Sequence, residues 1–455
     1  MSVPRGLRAH LAVAGVAAGA ALMAAGCGGG SNTSTGATGS SGITKALVAL
    51  VPTAKAFGES VAASSSAGQM VAATTWGADM AVVKTWWRPP NGAWSPPAML
   101  LPPGFHRSYD ASAATLSDGS LAVVAGADLA RRKYCLDGAS VALMRRDASG
   151  AVHVSIVDDQ HGTGRIDDRP MIAAGSGGRA WVGWAQGTLA HSCDVIGGDD
   201  RIRIARSSDH GATFGSPIAV PSAGIGPDFG VQIAPVGSGD AWVSWSALSP
   251  RGAARVMLVK VQHGQVIGAP QTVASVASVP QLLPGATFPS FSTPTITIAD
   301  HQPVLAWPHW VAGQAVITIG ARIGPQGQWR YATVLPGRGQ DLILPALATQ
   351  GDGSLRLVYA IHVRSTDAVG YASCVIRMVP STGRLLVGPT EVVAAPVPGP
   401  GFHELGESLQ LTADGMTTTT ALTVGSSRTS QIISVVWHVV PSRQALSGTA
   451  TTGSP

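Results

Sequence analysis

The sequence predicts an all-β protein, a single β-propeller of about seven four-stranded antiparallel blades over residues 43–441. A hairpin pattern recurs seven times, with its turns roughly 50 to 62 residues apart. A second strand–turn–strand pattern recurs between the hairpins, which gives each repeat four strands. The 57 Gly and 31 Pro agree with many short strands joined by turns. A count of six blades is the alternative, if the first or last copy does not form a blade.

The hairpin pattern consists of an alternating strand, a tight turn with Gly or Asp, and a strongly apolar second strand. Gly and Asp are favoured in such turns because they tolerate a positive φ. An aromatic residue often ends the second strand, at Trp76, Trp184, Trp245, Trp307 and Tyr359. The copies are residues 67–76, 118–127, 177–186, 239–248, 300–309, 352–361 and 414–423.

The second pattern places a Gly-centred turn between two further strands. We name the four strands of a repeat A to D, from the innermost outward. Strand B is expected to be buried on both faces, which explains its near-continuous apolar character. The copies of the second pattern are residues 88–97, 145–154, 206–215, 260–269, 322–331 and 378–387.

The two ends of the chain are predicted to share the last blade. The seventh repeat supplies strands A, B and C, over Ser408–Ala413, Met416–Val424 and Gln431–Val440, and then stops. The apolar segment Ile43–Pro52 has no place in the first repeat, so it is expected to supply the missing outer strand. Such closure removes exposed sheet edges. We expect residues 442–455 to form a disordered tail.

The first 26 residues have the proportions of a signal peptide. Arg5 and Arg8 precede a small and apolar run, Leu11–Ala25, which is shorter than the about 20 residues of a membrane span. The run ends in Ala-Ala-Gly-Cys, which resembles the bacterial lipobox, although Ala24 stands where the consensus prefers Leu. The resemblance implies a lipidated Cys27 and anchoring to the outer face of the bacterial cell membrane. An ordinary cleaved signal peptide is the alternative.

Residues 27–42 are almost wholly Gly, Ser, Thr, Asn and Ala after the cysteine, which predicts a flexible tether. Export implies an oxidising compartment, where disulfides persist. Cys135 and Cys193 fall in longer loops at equivalent positions of adjacent repeats and are the candidate disulfide, with Cys374 left over and buried. The chain has no CxxC and no Cys/His zinc spacing, so we expect no metal and no cofactor.

Charge is sparse and nearly balanced. Charged residues make up 12% of the chain, against an average of about 25%. The net charge of +5 includes Arg5 and Arg8, so removal of the leader leaves 5 − 2 = +3. The densest basic cluster is Arg131-Arg132-Lys133, so no nucleic-acid partner is expected. We expect a monomer.

One turn of the second pattern is more specific than the others. Residues 207–214, SSDHGATF, match Ser-x-Asp-x-Gly-x-Thr-Phe/Trp at Ser207, Asp209, Gly211, Thr213 and Phe214. This resembles the Asp-box of the sialidase (bacterial neuraminidase repeat) propeller superfamily. The resemblance implies a propeller fold and a structural role for the box, on the rim opposite the binding face.

The resemblance does not extend to sialidase catalytic residues. Sialidases of this superfamily carry an (F/Y)RIP motif and a Tyr nucleophile with a Glu partner. The nearest segment here, Arg165-Ile166-Asp167, lacks the Pro, and no Glu lies near Tyr371 in sequence. The catalytic residues are therefore not carried over to this chain.

Ligands of propellers bind on the face formed by the D–A and B–C loops, and these loops are unusually polar here. They are expected to hold the concentrated charges. These candidate ligand-binding residues are Arg165, Asp167, Asp168, Arg169, Asp228, Arg338, Asp341, His403, Glu404 and Glu407.

The sequence leaves three interpretations of these charges. They are charge pairs that hold the loops, a site for a glycan or protein ligand, or a catalytic carboxylate pair. The first functional hypothesis is a membrane-anchored propeller that binds a ligand without catalysis. The second is a divergent glycoside hydrolase of the sialidase clan, which would need converging carboxylates with a perturbed acid in the funnel.

Overall fold

A computed structural model describes residues 43–51, 57–76, 81–129, 138–188, 200–379, 382–397, 409–414, 417–424 and 431–439, with gaps at 223, 225, 238, 250–251, 281, 283–292 and 324–326. Every regular element in these residues is a β-strand. Within them, no helix is long and apolar enough to cross a membrane.

Four antiparallel sheets have four strands, a fifth has five, and an eight-stranded sheet contains two four-stranded groups joined by one parallel pair, Ile166↔Ala139. We take each of these groups as one blade. The first three blades follow the repeats in order. Blade 1 is β2 (Phe57–Ser65), β3 (Gly68–Trp76), β4 (Ala81–Arg88) and β5 (Ala98–Met99). Blade 2 is β6 (Arg107–Thr115), β7 (Leu121–Asp128), β8 (Ala139–Arg146) and β9 (Val152–Asp158). Blade 3 is β10 (Arg165–Ala174), β11 (Ala180–Thr188), β12 (Arg201–Ser207) and β13 (Ile218–Ala219).

The next three blades repeat the same order. Blade 4 is β14 (Asp228–Val236), β15 (Asp240–Leu248), β16 (Ala253–Gln262) and β17 (Gln265–Ala277). Blade 5 is β18 (Thr295–Ala299), β19 (Gln302–Val311), β20 (Gln314–Ile323) and β21 (Gln328–Val334). Blade 6 is β22 (Gln340–Thr349), β23 (Leu355–Val363), β24 (Ala368–Val379) and an outer strand divided into β25 (Arg384–Val387) and β26 (Glu391–Val397).

Blade 7 joins the two ends of the chain. It contains β27 (Thr412–Asp414), β28 (Thr417–Val424), β29 (Gln431–Val439) and, as its outer strand, β1 (Ile43–Val51). The register runs antiparallel from Ile43↔Val439 to Val51↔Ile432. The predicted closing strand is confirmed, and it removes the free edge that three strands alone would leave.

The inner strands contact one another in sequence around a ring, from β2 through β6, β10, β14, β18 and β22 to β27 and back to β2. One contact in the ring joins two blades that are not consecutive. The Gln410 side chain, next to blade 7, accepts from the Ala113 N–H at 2.8 Å and donates to the Ala113 carbonyl at 2.8 Å. Because Ala113 lies in blade 2, this pair of bonds links blades 2 and 7, which lie on either side of blade 1 in the ring.

The core lies between neighbouring blades. Val61 and Ala63 of blade 1 pack with Ala111 and Val123 of blade 2 in one apolar cluster. The aromatic residues at matching positions of the second strands are buried, at Trp184, Trp245, Trp307 and Tyr359. Small Ala and Val residues fill the rest of the interface, which lets the twisted sheets approach closely.

Arginine–tryptophan contacts also join neighbouring blades. The Arg146 guanidinium of blade 2 lies 4.7 Å from the ring centroid of Trp87 in blade 1. Arg356 of blade 6 lies 5.0 Å from the ring of Trp437 in blade 7. Such cation–π contacts stabilise an interface by about 0.5–2 kcal/mol.

A β-bulge interrupts five of the seven inner strands at the same level. Each bulge shifts the pairing register and places one residue at a positive φ, which L-residues other than Asn and Asp seldom adopt. The bulge residues are Glu59 (φ 50°), Asp110 (54°), Arg169 (52°), Gly230 (64°) and Leu344 (52°). This ring of bulges re-aims side chains where the central channel opens, and so positions the candidate site.

Candidate functional site

The two ends of the propeller differ in what they carry. We call the end that holds the D–A and B–C loops the loop face, and the end that holds the A–B and C–D turns the turn face. Inner strands begin at the loop face, so the bulge residues lie near that end of the central channel. The candidate site is therefore built from the bulges of several blades.

A central pocket of about 40 Å³ opens at this level. Six blades contribute to its lining, most of them through the bulge segment of the inner strand. The polar lining residues are Glu59, Asp110, Ser112, Arg169, Gln232, Thr293 and Gln410. Below it, a channel cavity of about 240 Å³ continues toward the turn face, and Gln410 lines both.

Glu59 is the least satisfied polar group in the pocket. The side chain is 8% exposed, and its Oε2 atom is fully buried with no hydrogen-bond partner among the described residues. A buried carboxylate oxygen without a donor is costly, typically by several kcal/mol when charged. The atom lacks the donor that an incoming ligand hydroxyl or a water would supply.

Asp110 and Arg169 occupy the equivalent bulge positions of blades 2 and 3. The Arg169 guanidinium lies 3.6 Å from the Asp168 carboxylate, through its Nε atom, and 5.8 Å from the Phe229 ring centroid. These contacts hold the arginine over the pocket wall. The pocket thus presents carboxylates and a guanidinium together, a combination suited to hydroxyl-rich ligands.

The structure places the candidate residues of the loops mostly inside strands. Arg165, Asp167, Asp168 and Arg169 belong to β10 rather than to the preceding loop, because that strand extends further toward the loop face. Asp228 begins β14, and Asp341 lies at the start of β22. Arg338 is exposed in the turn before β22. Six predicted residues lie outside the described part of the chain: His403, Glu404, Glu407, Cys27, Cys135 and Cys193. Cys374 is buried.

Three of the predicted residues are fully buried and so lie beneath the surface of the loop face: Asp167, Asp228 and Asp341. The Asp228 carboxylate accepts a 2.9 Å bond from the Trp245 indole N–H. This bond fixes a core tryptophan of the same blade. Among the predicted residues that the structure describes, Arg169 alone lines the central pocket.

Asp167 belongs to a polar cluster on blade 3. Its Oδ1 accepts a 2.8 Å bond from the Gln186 amide, and the carboxyl also interacts with the Asp158 and Trp184 side chains. Burial is the largest cause that raises the pKa of Asp167 to about 8, and the nearby Asp158 carboxyl raises it further. Burial therefore favours the protonated form of the Asp167 carboxyl at neutral pH.

The pKa of Asp341 is shifted in the opposite direction to that of Asp167. Burial alone would raise its pKa, but bonds from Arg364 and His362 lower it to about 2. Its partners are the Ala315 N–H at 2.8 Å, the Arg364 Nε at 2.8 Å and the His362 Nδ1 at 3.3 Å. Burial disfavours the charged form of His362, but its bonds to Asp341 and Asp367 outweigh this and raise its pKa. The cluster is a satisfied ion-pair network that ties blade 6 to blade 5.

The turn over Ser207–Phe214 lies on the turn face and closes on itself. The Asp209 carboxylate accepts from the Thr213 N–H at 2.9 Å and the Thr213 hydroxyl at 2.6 Å. The Ser207 hydroxyl donates to Asp209 at 2.7 Å and accepts from the Gly211 N–H at 2.9 Å. Gly211 has a φ of 73°, and Phe214 packs against the apolar cluster between blades 2 and 3.

Sequence reasoning missed Glu59, Asp110, Gln232 and Gln410. The signal that could have found two of them is positional, because Glu59 is the third residue of its inner strand and Asp110 is the fourth residue of its own. A polar residue at the same place in consecutive repeats indicates a common bulge. Gln410 carries no such signal, since its partner Ala113 is 297 residues away.

No protein-family model matches the chain, and no curated protein matches it in sequence. Among solved structures it is similar to an ulvan lyase of a new family of polysaccharide lyase, bound to -[GlcA(1-4)Rha3S]-, at 10% identity and a TM-score of 0.51, with 83% of this chain and 93% of that chain covered.

It is also similar to a protein of unknown function from Dyadobacter fermentans, at 12% identity and a TM-score of 0.48, covering 87% of this chain and 98% of that chain. A mutant NanB sialidase from Streptococcus pneumoniae matches at 9% identity and a TM-score of 0.44, covering 67% of this chain and 65% of that chain. The likeness to the ulvan lyase supports the propeller fold and, at this identity, the fold alone.

Proposed function

We propose that this protein is a membrane-anchored propeller that binds a glycan in the central pocket of its loop face, without catalysis. The observation that carries the proposal is the buried Oε2 of Glu59, which lacks a donor among the described residues. A sugar hydroxyl is a donor of the right size for a pocket of about 40 Å³. The remainder of the glycan would lie above the pocket, across the loop face.

A glycan suits the rest of the lining as well. Sugar hydroxyls both donate and accept, and the pocket offers carboxylates, a guanidinium, amides and a Thr hydroxyl. The ulvan lyase structure holds a glycan on a propeller of similar fold, so a glycan is compatible with this architecture.

Anchoring through Cys27 would turn the loop face outward. Strand β1 begins at Ile43, opposite Val439 at the end of β29, and β29 ends at the turn face. A tether leading to Ile43 therefore reaches the propeller at the turn face. The central pocket would then face away from the membrane.

A glycan array with the purified propeller, followed by calorimetric titration of the strongest ligand, tests the binding proposal. The variant Glu59→Gln keeps the side-chain volume but replaces a carboxylate oxygen with an amide. We expect it to weaken glycan binding by at least about tenfold, as for loss of a charge-assisted hydrogen bond. Unchanged affinity in this variant would contradict the proposal.

The anchor has a separate test. Cys27→Ser should release the protein from the membrane fraction, and globomycin should block maturation of the wild-type chain. Retention of the Cys27→Ser variant in membranes would contradict lipidation at this residue.

A glycoside hydrolase is the second candidate function, because Glu59 and Asp110 line the same pocket. Two carboxyl groups about 5–10 Å apart are what glycoside hydrolysis uses. Incubation with sialosides and aryl glycosides separates the two functions. Turnover that disappears in both Glu59→Gln and Asp110→Asn would establish the enzyme and overturn the non-catalytic proposal.

A further inference from the structure

Two arginine side chains converge on a single amide oxygen at the loop-face end of blade 3. The Arg165 Nη1 donates to the Gln186 Oε1 at 3.1 Å. The Arg203 Nε donates to the same oxygen at 3.2 Å. Guanidinium groups repel each other, so their convergence needs a scaffold that fixes both.

That scaffold is the Gln186 side chain. Its amide nitrogen donates to the Asp167 Oδ1 at 2.8 Å, which orients the amide oxygen toward the arginines. Gln186 is 8% exposed and Asp167 is fully buried, so the base of the cluster is rigid. Strand pairing supports the arrangement, because Gln186 is opposite Asp167 and Trp184 is opposite Arg203 in the same sheet.

Within the described part of the chain, neither arginine of the pair forms a direct ion pair. Among the described residues, no carboxylate oxygen lies within 4.0 Å of either guanidinium. Burial raises the pKa of Asp167 to about 8, and the nearby Asp158 carboxyl raises it further, so the protonated form of Asp167 is favoured at neutral pH.

Each guanidinium uses one N–H on Gln186 and keeps further donors for a ligand. Arg165 is exposed and Arg203 is partly exposed, so these donors are reachable. Planar guanidinium forks match the oxygen atoms of carboxylate and sulfate groups. Pre-orientation on a shared amide reduces the entropy that binding would otherwise lose.

From this geometry we infer that Arg165 and Arg203 form an anion-binding subsite that takes a carboxylate or sulfate group of the glycan. The inference rests on the proposed function, since it assigns an acidic substituent to the ligand of the central pocket. Arg165 and the pocket residue Arg169 lie on the same strand, four residues apart, which spans about 13 Å. The ligand is thus an acidic oligosaccharide rather than a single sugar.

Inorganic sulfate tests the subsite directly. Thermal unfolding is followed at constant ionic strength while sulfate replaces chloride, in the wild type and in Arg165→Gln and Arg203→Gln. The matched control is Arg330→Gln, since Arg330 is also an exposed arginine that contacts a glutamine, but singly and at 3.4 Å on the outer strand of blade 5.

We expect a saturable rise in Tm with sulfate in the wild type and in Arg330→Gln, with an apparent affinity at least about tenfold weaker in Arg165→Gln and in Arg203→Gln. The same sulfate response in all four proteins, or none in the wild type, would overturn the subsite. Unchanged Tm of the two variants without sulfate excludes unfolding as the cause.

A glycan array that carries neutral, uronate and sulfated oligosaccharides identifies the source of the anion. The subsite predicts that binding to the uronate or the sulfated series falls in Arg165→Gln and Arg203→Gln. Glycan binding that shows no preference for acidic members would overturn the subsite while the proposed function stands. Sulfate binding that depends on both arginines, without capture of any glycan, would overturn the proposed function and leave the subsite.

Discussion

Each face of the propeller holds an aspartate whose pKa is shifted, but the two shifts have opposite directions. Asp209 on the turn face receives its bonds from Ser207 and Thr213, within four residues along the chain. Partial burial would raise its pKa, but these bonds lower it to about 2. Asp167 on the loop face depends on Gln186, which is 19 residues away, and burial raises its pKa to about 8.

This difference between the two aspartates indicates which face of the molecule can accept a ligand. The turn around Asp209 satisfies the carboxylate within itself and needs no ligand to complete it. In the central pocket at the loop face, by contrast, the buried Glu59 Oε2 has no hydrogen-bond partner among the described residues. Unsatisfied atoms near a pocket indicate a site that a ligand completes.

The largest effect on stability is expected at Asp341. Asp341→Ala leaves the buried Ala315 N–H and His362 without their shared acceptor. Removing one partner of such a buried network typically lowers the free energy of unfolding by about 3–5 kcal/mol. Urea unfolding of Asp341→Ala and of Asp209→Ala, which should lose only about 1 kcal/mol, makes the comparison. Equal losses would contradict the distinction between long-range and local bonds.

The next effect concerns the pH dependence set by Asp167. Its folded pKa of about 8 lies above the unfolded value of about 3.9, so the folded state binds the extra proton. The contribution of this group to the free energy of unfolding is full below pH 4 and declines as the pH rises toward 8.

Asp167→Asn removes this titration. Unfolding free energies measured from pH 4 to pH 9 should then become flatter than those of the wild type, with the variant relatively more stable at pH 9. A variant that keeps the slope of the wild type would show that Asp167 does not titrate in this range.

A smaller effect separates two glycines with similar backbone angles. Gly230 and Gly211 have φ values of 64° and 73°, so alanine strains either backbone by about 1 kcal/mol. A Cβ at Gly230 would also lie 2.5 Å from the Thr293 Cγ2, whereas at Gly211 the nearest atom, Leu116 Cδ1, lies at an ordinary 3.6 Å. Chemical denaturation should therefore show a clearly larger loss for Gly230→Ala. A larger loss for Gly211→Ala would contradict the described packing at the pocket.

The smallest effect is expected at Asp209. Its contribution to stability changes with pH in the opposite direction to that of Asp167. Its folded pKa of about 2 lies below the unfolded value, so its contribution is present above pH 4 and is lost as the pH falls toward 2. Asp209→Asn should flatten only this acid limb and leave stability between pH 5 and 9 parallel to the wild type. A change of slope in the neutral range would show that the turn is coupled to the rest of the fold.

The repeats made the fold predictable, because each blade needs similar turn residues at similar positions of its repeat. The closing strand β1 was also predictable, since an apolar segment at one end matched a missing strand at the other. The position of Arg165–Arg169 was harder to predict. Gly162, Gly164 and several charges are typical of a loop, yet strand pairing with β11 draws this segment into β10.

The central pocket could not be read from local patterns. A bulge depends on how two strands pair, so the single polar residue Glu59 in an apolar strand is not enough to predict the bulge. The Gln410–Ala113 contact depends on ring closure between residues 297 positions apart in the chain. Site chemistry that comes from several blades becomes visible only once the ring is closed.

Calorimetric titration of the strongest array ligand into the wild type, Glu59→Gln and Asp209→Asn tests the central claim most directly. Glu59→Gln changes the loop-face pocket and Asp209→Asn changes the turn face, with the same conversion of a carboxylate to an amide. We predict an affinity at least about tenfold weaker for Glu59→Gln and unchanged for Asp209→Asn. Equal affinities for the wild type and Glu59→Gln, or a loss confined to Asp209→Asn, would contradict a binding site on the loop face.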